Sequence, residues 1–260
     1  MMRASSLLAA CLLLAAAATA ADPAAAVRDL DRGRLALSYP SREGVTGDPD
    51  HLSLQLGKDH RTMVHGWYDP HAESAPGDVL AVLHVTDGRV REVVLGVLRD
   101  GDPRPRADRD LGPLSADDAR AFFLDLARRA RGDAAEEALM AAVMARGPAP
   151  AAELVAFARD RDRPDEARRS SLFWLAVLAG EKAAAEAGRI IDDPSEDLEL
   201  RTHAVFALSQ LDEDRAFPLL LDVARTHPHP ELRRSALIWL AEFDRDEVTD
   251  LFEEILLSGN

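Results

Sequence analysis

The C-terminal half of the chain repeats itself, and this periodicity limits the possible fold more than any other feature does. Three segments align without gaps: ARRSSLFWLA (167–176), LRTHAVFALS (200–209) and LRRSALIWLA (232–241). An arginine takes the same place in each, at Arg168, Arg201 and Arg233, with spacings of 33 and 32 residues. Self-similarity at a period of this length is typical of stacked supersecondary units. The periodicity therefore predicts a helical repeat with two helices in each unit.

Apolar residues recur in further columns of the same repeat. These columns hold Leu175, Leu208 and Leu240, then Ile190, Val223 and Ile255, then Ile191, Ala224 and Leu256. A lone helical hairpin cannot bury both of its faces, whereas stacked hairpins join their apolar faces into one core, so we expect these columns to be buried. One period upstream, Leu139 and Phe157 mark a degenerate unit that has Ala135 in place of the arginine. The pattern thus predicts four antiparallel helix pairs beyond about Asp133.

The turns between these helices carry recognisable motifs. The stretch DRAFPLL (214–220) opens a second helix, and HPELR (229–233) leads into the next first helix, where an Ala-Leu pair follows at Ala236. With these motifs, residues 133–260 resemble HEAT repeats, in particular the short bacterial variety also found in phycobilisome-lyase-like proteins. The resemblance implies an α-solenoid that binds another protein. It also implies that the arginine column is structural and pairs with acidic turn residues of neighbouring units.

Residues 34–99 alternate between short strand-like runs and turns that contain Gly or Pro. The runs are Arg34–Tyr39, His51–Leu56, Arg61–Tyr68, Val79–Thr86 and Arg89–Leu98. Asp87-Gly88 separates the last two runs, and an Asp-Gly pair between apolar runs favours a tight hairpin. The pattern predicts a small, mainly antiparallel β domain.

The flanking segments complete the predicted domain order. Residues 21–33 show no clear period and are expected to form a leader arm, and residues 100–114, rich in Pro, Gly and charge, a linker. Ser115 and Asp118 resemble a capping box at the start of a connecting helix over residues 115–132. The predicted fold class is therefore mainly α: a C-terminal α-solenoid of HEAT-like helix pairs with a small N-terminal antiparallel β-rich domain.

Residues 1–20 have the features of a secretory signal peptide. Arg3 precedes an apolar run from about Leu7 to Ala18 that is too short to span a bilayer, and small residues precede Ala21. We expect an exported protein, periplasmic or secreted, with no transmembrane segment in the mature chain. A lipoprotein anchored through Cys11 is the alternative. It is disfavoured because the apolar run continues past that residue.

Composition excludes several classes of function. Cys11 is the only cysteine, so cleavage before Ala21 leaves no disulfide, thiolate metal ligand or cysteine nucleophile. With 31 basic and 46 acidic residues, the net charge of −15 disfavours a nucleic-acid partner, because phosphate neutralisation needs a basic face. The chain also lacks P-loop, G-x-S-x-G and H-E-x-x-H motifs. We expect no catalytic residues, no metal and no cofactor.

Two groups of residues leave alternatives open. The histidines of the β domain could support a metal-binding protein or an enzyme: His51, His60, His65, His71 and His84. Zinc requires three or four converging ligands, and these spacings match no known motif, so solvated or capping histidines are the simpler interpretation. Trp174 and Trp239 share a repeat column. Packing between stacked helices is favoured for them over a partner-facing role.

The favoured function is an exported interaction module or scaffold that binds a protein or peptide partner in the cell envelope. The predicted partner-binding residues are polar positions beside the buried columns of the second helices: Arg189, Asp192, Asp222, Arg225, Asp250, Glu253 and Glu254. We expect them to face the concave side, which becomes acidic toward the C-terminal end. Such a groove would attract a basic segment, with an affinity that weakens as salt rises. A merely solvated helix face would have the same pattern.

Overall fold

The computed structural model describes residues 22–56, 61–66, 75–104 and 106–258. Within these residues a β domain precedes a stack of helices. The strands are β1 (Arg32–Tyr39), β2 (Val45–Asp48), β3 (His51–Leu56), β4 (Arg61–Gly66), β5 (Ala75–Pro76), β6 (Asp78–Thr86), β7 (Arg89–Leu98) and β8 (Arg109–Pro113). The predicted signal peptide over residues 1–20, which includes Cys11, lies outside the described residues, and so does Trp67.

The first sheet has the strand order β7-β6-β1-β8. β1 pairs with β6 in an antiparallel register that runs from Arg32 opposite Thr86 to Tyr39 opposite Val79. The β6–β7 hairpin turns at Asp87 and Gly88, whose φ angles are 54° and 64°. Positive φ at both central residues is what the predicted tight turn requires, so the hairpin is confirmed.

The second sheet has the order β4-β3-β2-β5, and its pairings are antiparallel. It packs against β7 of the first sheet. At Gly96 the two sheets come so close that an added Cβ would lie 2.3 Å from the carbonyl oxygen of Pro49. The sequence pattern predicted β3 and β4 but missed β2 and β5, which are only 4 and 2 residues long.

Two flanking segments differ from the sequence-based expectation. The leader arm contains a short helix, α1 (Pro23–Arg28), because the Asp22 side chain accepts a hydrogen bond from the Ala24 N–H and a proline occupies the first turn. The linker over residues 100–114 contains β8, which pairs in parallel with β1. Pairing with a strand distant in sequence leaves little local signal, and Leu111 is the one buried residue of this strand.

The connecting helix is confirmed as α2 (Ala116–Arg129). The Ser115 hydroxyl accepts from the Asp118 N–H at 3.1 Å and donates to the Asp118 carboxylate at 2.6 Å. Ala119, Phe122 and Phe123 are buried on the inner face of the helix. Capping and amphipathic spacing, both local properties of the sequence, therefore determined this element.

The remaining helices form the four predicted pairs. They are α3 (Asp133–Met144) with α4 (Ala151–Arg159), α5 (Asp165–Ala179) with α6 (Glu181–Asp192), α7 (Leu198–Ser209) with α8 (Glu213–Thr226), and α9 (Pro230–Leu240) with α10 (Asp246–Ser258). The columns of Leu175, Leu208 and Leu240 and of Ile190 and Val223 are buried, as predicted. The side chain of Ile255 lies outside the described residues. None of the described helices is both long and apolar enough to cross a bilayer.

The β domain and the helices share one hydrophobic core. The Tyr39 hydroxyl donates to the carbonyl of Ala141 in α3 at 2.7 Å, and its ring lies 5.6 Å from that of Phe123 in α2. On the edge strand β7, the Val93 N–H donates to the Glu137 carboxylate of α3 at 2.6 Å. Burial raises the pKa of Glu137. These contacts fix the β domain against the first repeat.

The arginine column joins successive repeats. Each of these arginines donates to a backbone carbonyl at the C-terminal end of the preceding second helix. The acceptors, in repeat order, are the carbonyls of Ala158, Ile191 and His227. Arg168 also pairs with Glu196 of the next turn at 2.8 Å. The column is therefore structural, but a carbonyl rather than an acidic turn residue is the acceptor that its members share.

Candidate partner-binding groove

The predicted partner-binding residues lie on the second helices α6, α8 and α10, and all seven are exposed: Arg189, Asp192, Asp222, Arg225, Asp250, Glu253 and Glu254. Both cations of this set are paired with carboxylates. Arg189 lies 3.3 Å from Glu186 on its own helix, and Arg225 lies 3.5 Å from Glu254 across α8 and α10. The structure thus places these residues on one helical layer. Their role in binding stays a prediction.

First and second helices differ in how closely they pack. Consecutive first helices, α3 with α5, α5 with α7 and α7 with α9, pack against one another more extensively than consecutive second helices do. That the second helices face the concave side stays a prediction, because helical periodicity separates buried from exposed positions but does not give the direction of curvature.

An open groove of about 500 Å³ crosses the first helices α5, α7 and α9. Its lining residues come from three successive repeats: Arg169, Glu199, Thr202, His203, Phe206, Ser235, Ile238 and Trp239. Three helices contribute equivalent positions because the repeat brings the same face of each to the same side. The groove therefore belongs to the stack as a whole and not to a single unit.

Aromatic rings form a continuous ladder along this groove. Phe173 stacks on Phe206 with ring centroids 6.1 Å apart and an interplanar angle of 6°, and Phe206 contacts Trp239 at 4.9 Å. Beside the ladder, Ile238 is 56% exposed, which is unusual for a large aliphatic side chain in a protein with ample core positions. The ladder and Ile238 give the groove an apolar floor that extends across neighbouring repeats.

The two tryptophans of the shared column have different environments. Trp174 is buried at 3% exposure and contacts Phe173 edge-on at 5.2 Å, so it is a packing residue, as favoured from the sequence. Trp239 is only half-buried and lines the groove. The partner-facing alternative therefore suits the geometry of the second tryptophan.

His203 is the polar residue at the centre of the groove. Its buried Nε2 atom has no hydrogen-bond partner within the described structure. Burial, followed by the positive charge of Arg169, lowers the pKa of His203 to about 4. The imidazole is therefore neutral at pH 7, and Nε2 is an unused donor or acceptor, according to the tautomer, for a polar group of a bound partner.

An ion pair borders the groove at one end. The Arg169 guanidinium lies 2.7 Å from the carboxylate of Glu199, which is 72% exposed, and 3.8 Å from Glu166. Such rim charges orient a partner more than they strengthen its binding. The groove thus combines an apolar floor, one unsatisfied polar atom and a charged rim, the arrangement typical of a protein-binding surface.

Sequence reasoning missed this groove although the repeat contained a signal for it. Phe173, Phe206 and Ile238 share one column, five residues after each arginine of the structural column. Large apolar residues in a repeat column usually belong to the core of the stack. Their partial exposure could not be deduced, because it depends on how far successive first helices are rotated against one another.

Within the described residues, no metal cluster supports the histidine-based alternative. The described residues contain no group of three or more His, Cys, Asp or Glu side chains that could hold a metal ion. His51 is buried, with Nδ1 2.7 Å from the Asp48 carboxylate, and His84 pairs with Glu92 across the hairpin at 2.9 Å. The side chains of His60, His65 and His71 lie outside the described residues.

The helix pairs, the shared core and the groove define an α-solenoid. In comparison with known protein families, residues 151–240 and 189–260 match the HEAT repeats. Residues 151–260 are therefore a HEAT-repeat segment, as the sequence resemblance indicated. Neither the curated proteins nor the solved structures include a match to the chain.

Proposed function

We propose that this protein is an exported interaction protein, and that its HEAT-repeat segment holds a protein or peptide partner in the groove of the first helices. The aromatic ladder from Phe173 through Phe206 to Trp239 carries this proposal. HEAT repeats are protein-interaction scaffolds, and solenoids of this kind bind partners on surfaces that extend over several repeats. The apolar floor crosses three helices, so the partner segment lies across the repeats and not along one helix.

Tryptophan and other large apolar residues at the centre of an interface contribute most of its binding free energy. Trp239 and the exposed Ile238 occupy that position here. A polar group of the partner satisfies Nε2 of His203, which is otherwise buried without a hydrogen bond. This requirement favours a peptide backbone or a polar side chain over a purely apolar ligand.

The proposal also retains the export predicted from residues 1–20 and a partner in the cell envelope. The second-helix surface, with its acidic C-terminal end, is a separate candidate surface for a basic segment. The two candidate surfaces lie on opposite helical layers of the same stack. A single experiment can therefore distinguish between them.

Site-specific photo-crosslinking tests the proposal in cells that produce the protein. The photoreactive amino acid p-benzoylphenylalanine replaces Ile238 in the groove, Asp222 on the second-helix surface or Arg34 on the β domain; each of these residues is exposed. We expect a discrete protein adduct from position 238 alone. An adduct from position 222 alone would instead support the second-helix surface. Adducts from position 34 alone would move the function to the β domain.

A matched pair of substitutions checks the chemistry of the groove. Ile238→Asp places a charge on its apolar floor, whereas Leu257→Asp changes a side chain that is 87% exposed on α10. Ile238→Asp should abolish capture of the crosslinked partner, and Leu257→Asp should leave it unchanged. The melting temperatures of both variants should stay close to that of the wild type, because the side chains of Ile238 and Leu257 are exposed. Undiminished capture by Ile238→Asp would reject the groove.

A further inference from the structure

A second cavity, of about 530 Å³, lies between α1, the tip of the β6–β7 hairpin and α2. Its floor is apolar, because Val27, Val90 and Phe122 are nearly buried there and Leu126 is half-buried. The volume lies in the range of sites that hold small molecules, roughly 300–1,000 Å³. This cavity is separate from the groove of the first helices and shares no lining residue with it.

Five arginines line the same cavity: Arg28, Arg89, Arg91, Arg129 and Arg131. The described residues that line it include no carboxylate. This is an unusual local charge for a chain whose net charge is −15. Arginines around one cavity give it a positive potential, which favours a bound anion.

Ordinary structural roles account for part of the arginine set but not for all of it. Arg28 and Arg129 lie in the last turns of α1 and α2, where basic residues interact favourably with the helix C-terminus. Arg89 and Arg91 lie on β7, which has no comparable terminus. The helix-terminal explanation therefore leaves the strand arginines unexplained.

Existing ion pairs also leave the cavity incompletely neutralised. Arg28 lies 3.9 Å from Asp22 and Arg91 lies 3.8 Å from Asp87, both long and exposed pairs. Arg129 pairs with Asp125 on its own helix. Within the described part of the chain, Arg89 and Arg131 take part in no ion pair. These two guanidinium groups can both bind a ligand without breaking an ion pair.

We propose that this cavity binds a small amphipathic anion, a carboxylate or phosphate that carries an acyl or similar apolar chain. The acidic head contacts the arginines, whose planar guanidinium groups bind carboxylates and phosphates bidentately. The chain lies on the floor formed by Val90, Phe122 and Leu126. An inorganic anion leaves this floor exposed to water, and a neutral hydrophobe makes no charge contact with the arginines, so neither satisfies the site as a whole.

Isothermal titration of the purified, delipidated full chain tests the proposal with defined probes. Decanoate and octyl phosphate carry both parts of the expected ligand, inorganic phosphate carries the charge alone, and octanol the chain alone. We expect saturable binding of decanoate and octyl phosphate at one site, at least tenfold tighter than that of phosphate or octanol. Comparing octanoate with decanoate should give roughly a two- to fourfold gain per methylene, because each buried methylene contributes favourably. Higher salt should weaken binding of both anions.

Matched variants locate the binding site. Arg89→Gln with Arg131→Gln should weaken decanoate binding at least tenfold, while Arg34→Gln with Arg106→Gln makes the same charge change at exposed arginines outside the cavity and should have little effect. Leu126→Gln should remove the dependence on chain length. Ile238→Asp, in the groove of the first helices, should leave decanoate binding unchanged, which separates this site from the proposed partner-binding function.

Several results would overturn the inference. Undiminished decanoate binding by the Arg89 and Arg131 double variant would place the ligand elsewhere. Loss of decanoate binding in Ile238→Asp, without loss in that double variant, would assign it to the groove. Phosphate that binds as tightly as decanoate, with no effect of Leu126→Gln, would reduce the cavity to a site for inorganic anions.

Discussion

Arg201 donates two hydrogen bonds to a single backbone oxygen, the carbonyl of Ile191, from Nε at 2.9 Å and from a terminal nitrogen at 2.7 Å. Ile191 lies in the last turn of α6, where the carbonyl oxygens receive no hydrogen bond from an N–H of the same helix. Arg201 lies on α7 of the next repeat. One unit is thus capped by a side chain of its neighbour. The positive charge also lies at the negative end of the helix dipole.

Replacing this arginine should uncouple the two repeats. Arg201→Met keeps most of the aliphatic length but leaves a buried carbonyl without its donors, so we expect the free energy of unfolding to fall by about 1–3 kcal/mol. Urea unfolding followed by circular dichroism measures the change. Arg234→Met is the control, because the Arg234 side chain is 69% exposed and should change stability by less than about 0.5 kcal/mol. Equal losses in the two variants would contradict a capping role.

The repeated leucine column should be essential for stability. Leu208 is 2% exposed, and Leu208→Ala removes its contacts and leaves a cavity, so we expect a loss of about 2–5 kcal/mol in the free energy of unfolding. Leu219→Ala is the matched control on α8, where the side chain is 37% exposed and the loss should be much smaller. Chemical denaturation distinguishes them. If Leu208→Ala lowered the free energy of unfolding less than Leu219→Ala does, the leucine column would not be part of the core.

The close approach of the two sheets should make Gly96 intolerant of a side chain. Gly96→Ala would place Cβ 2.3 Å from the Pro49 carbonyl oxygen, so the backbone must shift, and we expect destabilisation by about 1–3 kcal/mol. Gly188→Ala in α6 meets no atom within 4 Å and should instead stabilise by about 0.5–1 kcal/mol, because alanine favours the helix. Thermal unfolding of both variants should show shifts of opposite sign.

The lowered pKa of His203 predicts a pH dependence of stability. The unfolded imidazole titrates near a pKa of about 6.5, whereas the folded one titrates at about 4. Between these values the unfolded chain binds more protons, so stability from this residue is fully present above the unfolded pKa and is lost as the pH falls toward the folded pKa. His203→Gln, neutral throughout, should lose less stability than the wild type between pH 7.5 and pH 5.

Direct titration provides the second readout for His203. The imidazole proton signals should show a midpoint about two units below that of an unperturbed histidine. The variant serves to assign those signals. A midpoint near 6.5 would show that neither burial nor the Arg169 charge acts on this side chain.

The predicted export has a measurable chemical outcome. The mature chain should begin near Ala21 and carry no thiol, because Cys11 is the only cysteine of the sequence. Intact-mass analysis of the protein from the cell-envelope fraction, with a thiol-labelling step, checks both points. A chain that begins at a lipid-bearing Cys11 would establish the lipoprotein alternative, and an unprocessed chain in the cytoplasm would contradict export.

Local signals in the sequence determined the elements whose causes are themselves local. The Asp87-Gly88 turn requires only positive φ at two residues, and Ser115 caps α2 through Asp118 three positions away. The arginine and leucine columns repeat at a period that only stacked helix pairs satisfy. For the same reason the four helix pairs and most of their buried positions could be predicted.

Only the tertiary structure decided which exposed positions lie together. Strand β8 forms because Arg109 and its neighbours pair in parallel with β1, more than seventy positions earlier in the chain. The ladder from Phe173 to Trp239 forms because the first helices α5, α7 and α9 pack against one another. Arg28, Arg89 and Arg131 share a cavity although α1, β7 and the segment after α2 are far apart in sequence. Periodicity predicts which residues of a helix or strand are buried. A site also depends on how neighbouring elements are rotated and placed against one another. That arrangement follows from side-chain packing across the whole core.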